Sequence, residues 1–308
     1  MDIIEFKDKG FEKVVRNFLN IKRGKVRKKD IASIVGLIVS NQPVTSEFAV
    51  SIPWYSYSSA FNMSYPRFMF DVNESCNGQW QYDLQHFSQL RTIHIYVPTK
   101  ELTFLRNFSQ LKELYVVGSE NKDWTFIETL ANLEYLYVRK CSFLDLTPIR
   151  DLCVKQIKQY ETEKEKLELG RIDIFFSGLS HLSLIDCDIK DITPLADCSF
   201  IDDLNLSHNQ ISDISPLRGI SWLYYLTLRY NQITNIEPLM GLKDIYLINL
   251  RHNQISNIDV FTTLERGNLS RLFLGDNPIT DFSPIQNIRL VAHDIEKYDR
   301  YASKRRKK

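Results

Sequence analysis

The chain has 308 residues, 44% of them hydrophobic and 25% charged, with 39 Lys and Arg against 38 Asp and Glu. That length lies beyond the ~250–300 residues at which a single compact core stops growing, so it calls for two domains or one elongated array. The composition excludes a long disordered tract, and the longest apolar stretch, Ile31 to Val39, is too short and too interrupted by Ser33 and Gly36 to span a bilayer.

The amino terminus, MDIIEFKDKG, carries acids where an export signal needs cations, which leads us to expect a cytoplasmic protein. Phe11, Val14, Val15, Phe18 and Leu19 recur at helical spacing, so residues 9 to 20 are predicted to form an amphipathic helix that lies over the first strand and hides its edge. A second short helix is predicted to begin at Asp30 as its N-cap, completing a helical cap over 1–36. Leu37, Ile38 and Val39 read as the first strand.

From there to residue 92 the chain is rich in rings, among them Trp54, Tyr55, Tyr57, Phe61, Tyr65, Phe68, Phe70, Trp80 and Tyr82. So many rings require burial, either as an expanded first repeat (37–92) with its own small core or as a projecting binding lobe.

From Ile93 the chain repeats. Copies start at Ile93, Leu114, Leu136, Leu182, Leu204, Leu226, Ile248 and Leu272, and the last four starts are spaced by 22, 22 and 24 residues. Each reads L-x-L-x-x-N-x-I-x-D-I-x-P-L, as in LNLSHNQISDISPL from Leu204. The L-x-L alternation puts two leucines on one side of a short strand. No copy can bury them alone, so successive strands must pair in parallel around a shared core. Asn209, Asn231, Asn253 and Asn277 should satisfy backbone groups at the bend after each strand, forming a ladder in which Cys141 and Cys187 stand in for Asn. The D-I-x-P-L half, with its proline, suits short turns and 3-10 segments better than a second sheet. Asp191, Asp213 and Asp281 then read as turn residues.

Residues 150–171 break the phase, and Cys153, Ile157, Tyr160 and Leu167 suggest a charged helix there, as an insert or a degenerate repeat; such insertions often flank the binding side. The repeats, 93–285, should end in a closing helix over 286–308 marked by Ile288, Val291, Ile295 and Tyr298, followed by a basic tail. The fold class is therefore α/β, a leucine-rich-repeat solenoid with a concave parallel sheet, convex turns and helical caps at both ends.

These motifs resemble the 22-residue repeats of internalins and of a leucine-rich-repeat regulatory subunit of protein phosphatase 1, over Ile93 to Ile285 apart from the interruption. The segment FKDKGFEKVVRNFLNIKRGKVRKKDIASIVGLIVS is similar to the helical cap that precedes such repeats in bacterial internalin-like proteins. The resemblance implies a binding scaffold without catalysis, of bacterial origin. The internalin export signal and wall-binding tail have no counterpart in this sequence, so a surface invasin role is not implied.

Chemistry leaves no motif of its own. The eleven glycines form neither a P-loop nor G-x-G-x-x-G, and G-x-S-x-G and H-E-x-x-H are missing. His208 and His252 share a column two repeats apart, roughly 10 Å at ~4.8 Å per strand, too far to ligate one metal directly. Asp186 and Asp276, in the same column, are four repeats apart. The five cysteines lack paired spacings and are expected to be reduced thiols. No enzyme, metal or cofactor is expected.

Strand alternation also gives the solvent-facing positions. They form two patches, Tyr96, Tyr115, Tyr135, Tyr137 and Arg139 in the first half and Tyr225, Arg229, Tyr230, Arg251 and Phe273 in the second. Tyr and Arg are enriched at interface hot spots, so we expect another protein as partner, bound by an adaptor, regulatory or inhibitory subunit. The alternative is nucleic acid: eleven cations sit at the two ends (Lys22 to Lys29 and Lys304 to Lys308), leaving 28 cations against 38 acids elsewhere.

Overall fold

The computed structural model describes residues 2–40, 67–71, 78–142, 145–166, 178–262, 268–286, 288 and 292–293, with side chains for all of these except 67–71, 166 and 292–293. The chain divides into two compact units, Met1–Tyr135 and Leu136–Lys308.

The first unit opens with helix α1 (Lys9–Phe18), started by Asp8, whose carboxylate accepts the Phe11 N–H at 3.1 Å. Phe11 and Val15 are fully buried, whereas Phe18 is 44% exposed, so the helix buries a narrower face than the spacing suggests. In α2 (Lys28–Ile31) Asp30 is not the N-cap. Arg27 holds that place, and the Asp30 carboxylate reaches back to accept the Arg27 N–H at 2.8 Å, the reciprocal half of a capping box.

Strands β1 (Gly36–Ser40), β2 (Arg67–Asp71), β3 (Thr92–Tyr96) and β4 (Glu113–Val117) lie in the order β2-β1-β3-β4. The outer side of β1 is thus covered by β2, paired in parallel from Gly36 with Arg67 to Ser40 with Asp71, and not by α1 as expected. The ring-rich stretch therefore contributes a strand. Its Trp54, Tyr55, Tyr57, Phe61 and Tyr65 lie outside the described residues. After it, Trp80 begins the short helix α3 (Trp80–Asp83) and is buried, while Tyr82 is exposed.

Two fully buried carboxylates tie the cap to α3. Asp83 accepts the N–H groups of Lys7 and Asp8, both at 2.8 Å, and Asp8 accepts that of Gln79 at 3.2 Å besides the one from Phe11. Backbone donors replace the water each acid loses.

The second unit is regular. Strands β5 (Tyr135–Arg139), β6 (His181–Ile185), β7 (Asp203–Asn205), β8 (Tyr225–Thr227), β9 (Leu247–Asn249), β10 (Arg271–Phe273) and β11 (Ala292–His293) follow chain order, β5 starting at the division. Register keeps Leu182, Leu204, Leu226, Ile248 and Leu272 level, and all five are 0% exposed. Behind them run 3-10 segments, Thr193–Asp197, Ser215–Gly219, Glu237–Gly241 and Ser283–Ile285, each with proline in its first turn. Asp191, Asp213 and Asp281 accept the N–H two residues on, each at 2.8 Å, as turn residues should.

The asparagine ladder forms as the repeat requires. Asn231 Nδ2 donates to Leu206 O at 2.9 Å and Leu228 O at 3.0 Å, while its Oδ1 accepts the Ile211 N–H at 3.0 Å. Cys187 does the same work with a thiol, donating to Ile185 O at 3.3 Å and Val138 O at 3.6 Å, and burial pushes that thiol up to about 12. Cys141, Cys153, Cys187 and Cys198 are all buried and free; Cys76 lies outside the described residues.

The phase break is helix α4 (Thr147–Lys166). It starts at Thr147-Pro148, where the other repeats start their 3-10 segment, and packs on Thr193–Asp197, so it is a lengthened turn behind the sheet and does not flank the strand face. At the carboxyl end Ala292 and His293 form a strand beside Arg271 and Leu272, where the 3-4-3 spacing predicts helix. A parallel neighbour gives the open edge of β10 the partners it lacks. Apart from Gln286 and Ile288, the rest of that predicted helix and the basic tail lie outside the described residues.

Candidate protein-binding surface

Of the predicted first patch, Tyr96 and Tyr115 belong to the first unit and Tyr137 and Arg139 to the second, with Tyr135 at the division. Tyr115 is only 7% exposed, its ring 4.2 Å from that of the buried His94, and the Tyr96 hydroxyl lies 3.3 Å from His94 Nδ1. Both tyrosines are engaged in packing with that histidine. Burial raises the Tyr137 phenol, against a hydrogen bond from Arg139 that lowers it, so this tyrosine is also partly committed to its neighbour.

The second patch lies on one sheet face, where Arg229 pairs with Tyr230 and Arg251 with Phe273 while Tyr225 stands at the other end of the strands. Register aligns Ser183, Asn205, Thr227, Asn249 and Phe273 as one column. Two residues further along, Arg229 and Arg251 occupy neighbouring repeats: the ladder continues through His208 N–H to Arg229 O and Tyr230 N–H to Arg251 O, both 2.9 Å. The Arg251 guanidinium lies over Phe273, 4.7 Å from its centroid, and that of Arg229 over Tyr230 at 5.9 Å.

The next column carries a feature not read from the sequence. Lys140, Asp186, His208, Tyr230, His252 and Asp276 each precede a ladder residue, and all have positive φ, between 52° and 59°. In this left-handed bend the side chains of successive repeats line up, and three of them stack: His208 on Tyr230 at 4.2 Å and Tyr230 on His252 at 3.9 Å, with interplanar angles of 16° and 15°. His252 Nε2 then meets Asp276 Oδ2 at 3.2 Å. Tyr230, 41% exposed, thus fills the gap between two histidines that spacing alone leaves unconnected. The signal was available, because Asp and His tolerate positive φ better than most residues and both recur at this position.

At the other end of the strands the sequence missed a ring cluster. Tyr224 stacks on Tyr246 at 5.2 Å and 7°, Tyr225 stands edge-on to both, and the Arg271 guanidinium is 5.8 Å from Tyr246. Asp203, level with Tyr225, is pushed up to about 7 by burial and by neighbouring Asp202, which burial raises to about 6. His181 Nδ1 is 3.5 Å from Asp202 Oδ1. Both ends of the strands therefore carry both signs, Arg229 and Arg251 with Asp186 and Asp276 at one and Arg271 with Asp202 and Asp203 at the other.

His208 is held below its ordinary value, first by burial and then by Arg229, against an opposite pull from Asp186. Among the described residues no group of three or more His, Cys, Asp or Glu gathers to hold a metal ion.

No protein-family model matches the chain, and no curated protein matches it by sequence. Solved structures do. An internalin C2 from Listeria monocytogenes shares 21% identity over 94% of either chain, with a TM-score of 0.55. A second internalin from that bacterium shares 19% over 96% of this chain and 98% of its own, at 0.47, and a TDR receptor 17% over 68% and 35%, at 0.52. At such identities the likeness is one of fold, and the fold is the leucine-rich repeat.

Proposed function

We propose that this chain is a non-catalytic scaffold, an adaptor, regulatory or inhibitory subunit, that binds a protein partner on the sheet face of its second unit. The observation that carries this reading is the joined surface of Arg229, Tyr230, Arg251 and Phe273. Arg251 lies over the Phe273 ring and Arg229 stands 5.9 Å from the centre of Tyr230, an arrangement the leucine core does not require and which suits a protein interface. Tyr225, with Tyr224 and Tyr246, extends the same face. The fold supports the reading, because stacked repeats present a broad regular surface suited to another macromolecule.

A cytoplasmic, bacterial setting fits the four buried free thiols and the likeness to internalin folds. No helix among the described residues is long and apolar enough to cross a membrane. Nucleic-acid binding draws least on this face, since Asp186, Asp202, Asp203 and Asp276 stand on it and would repel a polyphosphate.

Affinity capture from native cells with the intact chain, compared with Arg229→Ala/Tyr230→Ala and with Tyr137→Ala/Arg229→Ala, tests the reading. A protein retained by the wild type and lost from both variants, with melting unchanged, supports it. Retention of every captured protein by both variants refutes it.

A further inference from the structure

We infer that the open face of Tyr224, beside the Asp202 carboxylate, is the seat for an arginine side chain carried on a basic segment of the partner. This rests on the scaffold reading above and narrows it to one kind of contact.

Tyr224 and Tyr246 form a stacked pair, 5.2 Å apart at 7°, whose two outer faces differ. On the far side of Tyr246, from the repeat that follows, the Arg271 guanidinium stands 5.8 Å from the ring centre. The far side of Tyr224 turns toward the repeat before. Tyr225 does not cover it, because a ring 4.8 Å from Tyr224 and 5.9 Å from Tyr246 stands beside the pair and not across its end. Tyr224 is 39% exposed, and among the described residues no further ring and no cation meets it. One end of the stack thus has its guanidinium, and the other is open to one.

Register supplies the anion at the open end. Tyr224 N–H donates to Asp202 O at 2.8 Å, so Asp202 stands one repeat back in the same column. A tyrosine reaches further from the backbone than an aspartate, and the ring therefore stands above the carboxylate. Asp202 Oδ1 is buried, 3.5 Å from His181 Nδ1, so the 47% exposure of that side chain falls on its outer part. Among the described residues no lysine or arginine pairs with it. A guanidinium laid flat on Tyr224 turns its N–H edge to the carboxylate, which a lysine ammonium cannot do while covering the ring. Trp222, 60% exposed and stacked on Phe200 at 6.3 Å, lies on the same edge and offers the rest of the segment an apolar surface. The seat is also proton-linked. Burial raises the Asp202 carboxyl to about 6, with Asp203, His181, Tyr225 and Arg271 as the other titratable or charged groups at this end of the strands. A bound guanidinium pulls the carboxyl back down, so the complex holds that proton less tightly than the free protein, and a protonated His181 competes for the same acid. Affinity then falls as pH drops through the range in which Asp202 takes up its proton.

The test uses the full chain and fluorescence anisotropy of a labelled synthetic peptide of alternating arginine and serine. The same peptide with lysine, with citrulline, which keeps the planar end without its charge, and with glutamate serve as comparators. The arginine peptide should bind more tightly than the lysine peptide, and the other two should not bind. Asp202→Asn and Tyr224→Leu should each weaken binding by roughly tenfold, whereas Asp276→Asn, which removes an acid from the other end of the strands, should leave it unchanged. Affinity should fall by roughly threefold or more between about pH 7.5 and about pH 5.5, and Asp202→Asn should flatten that slope. Equal binding of the arginine and citrulline peptides, equal effects of Asp202→Asn and Asp276→Asn, or indifference to Asp202→Asn overturns the inference. If the arginine peptide fails to bind but Arg229→Ala/Tyr230→Ala still loses the partner captured from cells, the seat is refuted and the scaffold reading stands. If that variant also retains every partner, both fall.

Discussion

Within the second unit, the ladder side and the sheet face use the same repeat in opposite ways. On the ladder side Asn209, Asn231 and Asn253 repeat the same bonds, each donating to one carbonyl of its own repeat and one of the repeat before, and accepting an N–H from the turn before. On the face, positions in register change from Ser183 to Asn205, Thr227, Asn249 and Phe273. Positions that repeat are those whose neighbours repeat, and they hold the stack together. Positions that vary have solvent for a neighbour, which leaves them open to selection by a partner.

The comparison is sharpened most by Asn231→Ala, which leaves the buried Ile211 N–H without its acceptor and takes from Leu206 O and Leu228 O one donor each, the other coming from Asn209 and Asn253. A buried N–H left without a partner costs about 1–3 kcal/mol and the two weakened carbonyls add to it, so a total loss of about 2–4 kcal/mol is expected by denaturant unfolding. Capture of the partner protein below the melting transition should be unchanged. Next comes Gly219→Ala. A Cβ there would stand 2.3 Å from the Ala196 carbonyl oxygen, whereas at Gly241, which ends the corresponding segment one repeat on, nothing lies within 4 Å. The first substitution should destabilise by about 1–3 kcal/mol and the second should leave stability level or raise it by about 0.5 kcal/mol. Equal melting temperatures for the two would show that neighbouring turns are interchangeable after all.

Asp203 bends the rule, because it stands on the face yet bears on stability. Its carboxyl is raised to about 7 in the fold, far above the ordinary carboxylate range, so the folded state binds the proton more tightly than the unfolded chain. Stability contributed by the protonated form is complete below about pH 4 and is lost as pH rises toward about 7. Asp203→Asn should therefore stabilise the protein by about 1–2 kcal/mol at neutral pH, after discount for its partial exposure, and by little at about pH 4. A melt showing the same increment at both pH values would mean that packing, not charge, sets the cost.

Much of this was legible in the sequence because the repeat writes one physical demand many times. The leucines at 204, 226 and 272, the ladder asparagines and the turn aspartates each answer a local requirement that recurs at fixed spacing. What escaped depends on contacts without a period. The partner of β1 comes from a strand inside the ring-rich stretch, and Asp8 and Asp83 meet across 75 residues, where no spacing rule applies. On the face, alternation put Arg229, Arg251 and Phe273 outward, but neither the clamp on Tyr230 nor the Tyr224–Tyr246 stack follows from alternation, since each joins side chains of neighbouring repeats. Tyr115 shows the reverse: it points outward by alternation and is buried by the histidine beside it.

The smallest expected effect on stability separates the two sides most cleanly. Arg229→Gln/Arg251→Gln removes two guanidinia from ring faces and leaves the ladder untouched, so unfolding should shift by no more than about 1 kcal/mol, the sum of two partly exposed cation–π contacts. Loss of the excess positive charge beside His208 should at the same time let that histidine titrate nearer its ordinary value, which NMR of the ring protons would read directly. A large stability loss would mean that the arginines brace the sheet, and the face would then belong with the ladder as structure. An unmoved His208 would mean that burial and its other cationic neighbours, not Arg229, depress it, and that Arg229 is electrostatically separate from the stacked column.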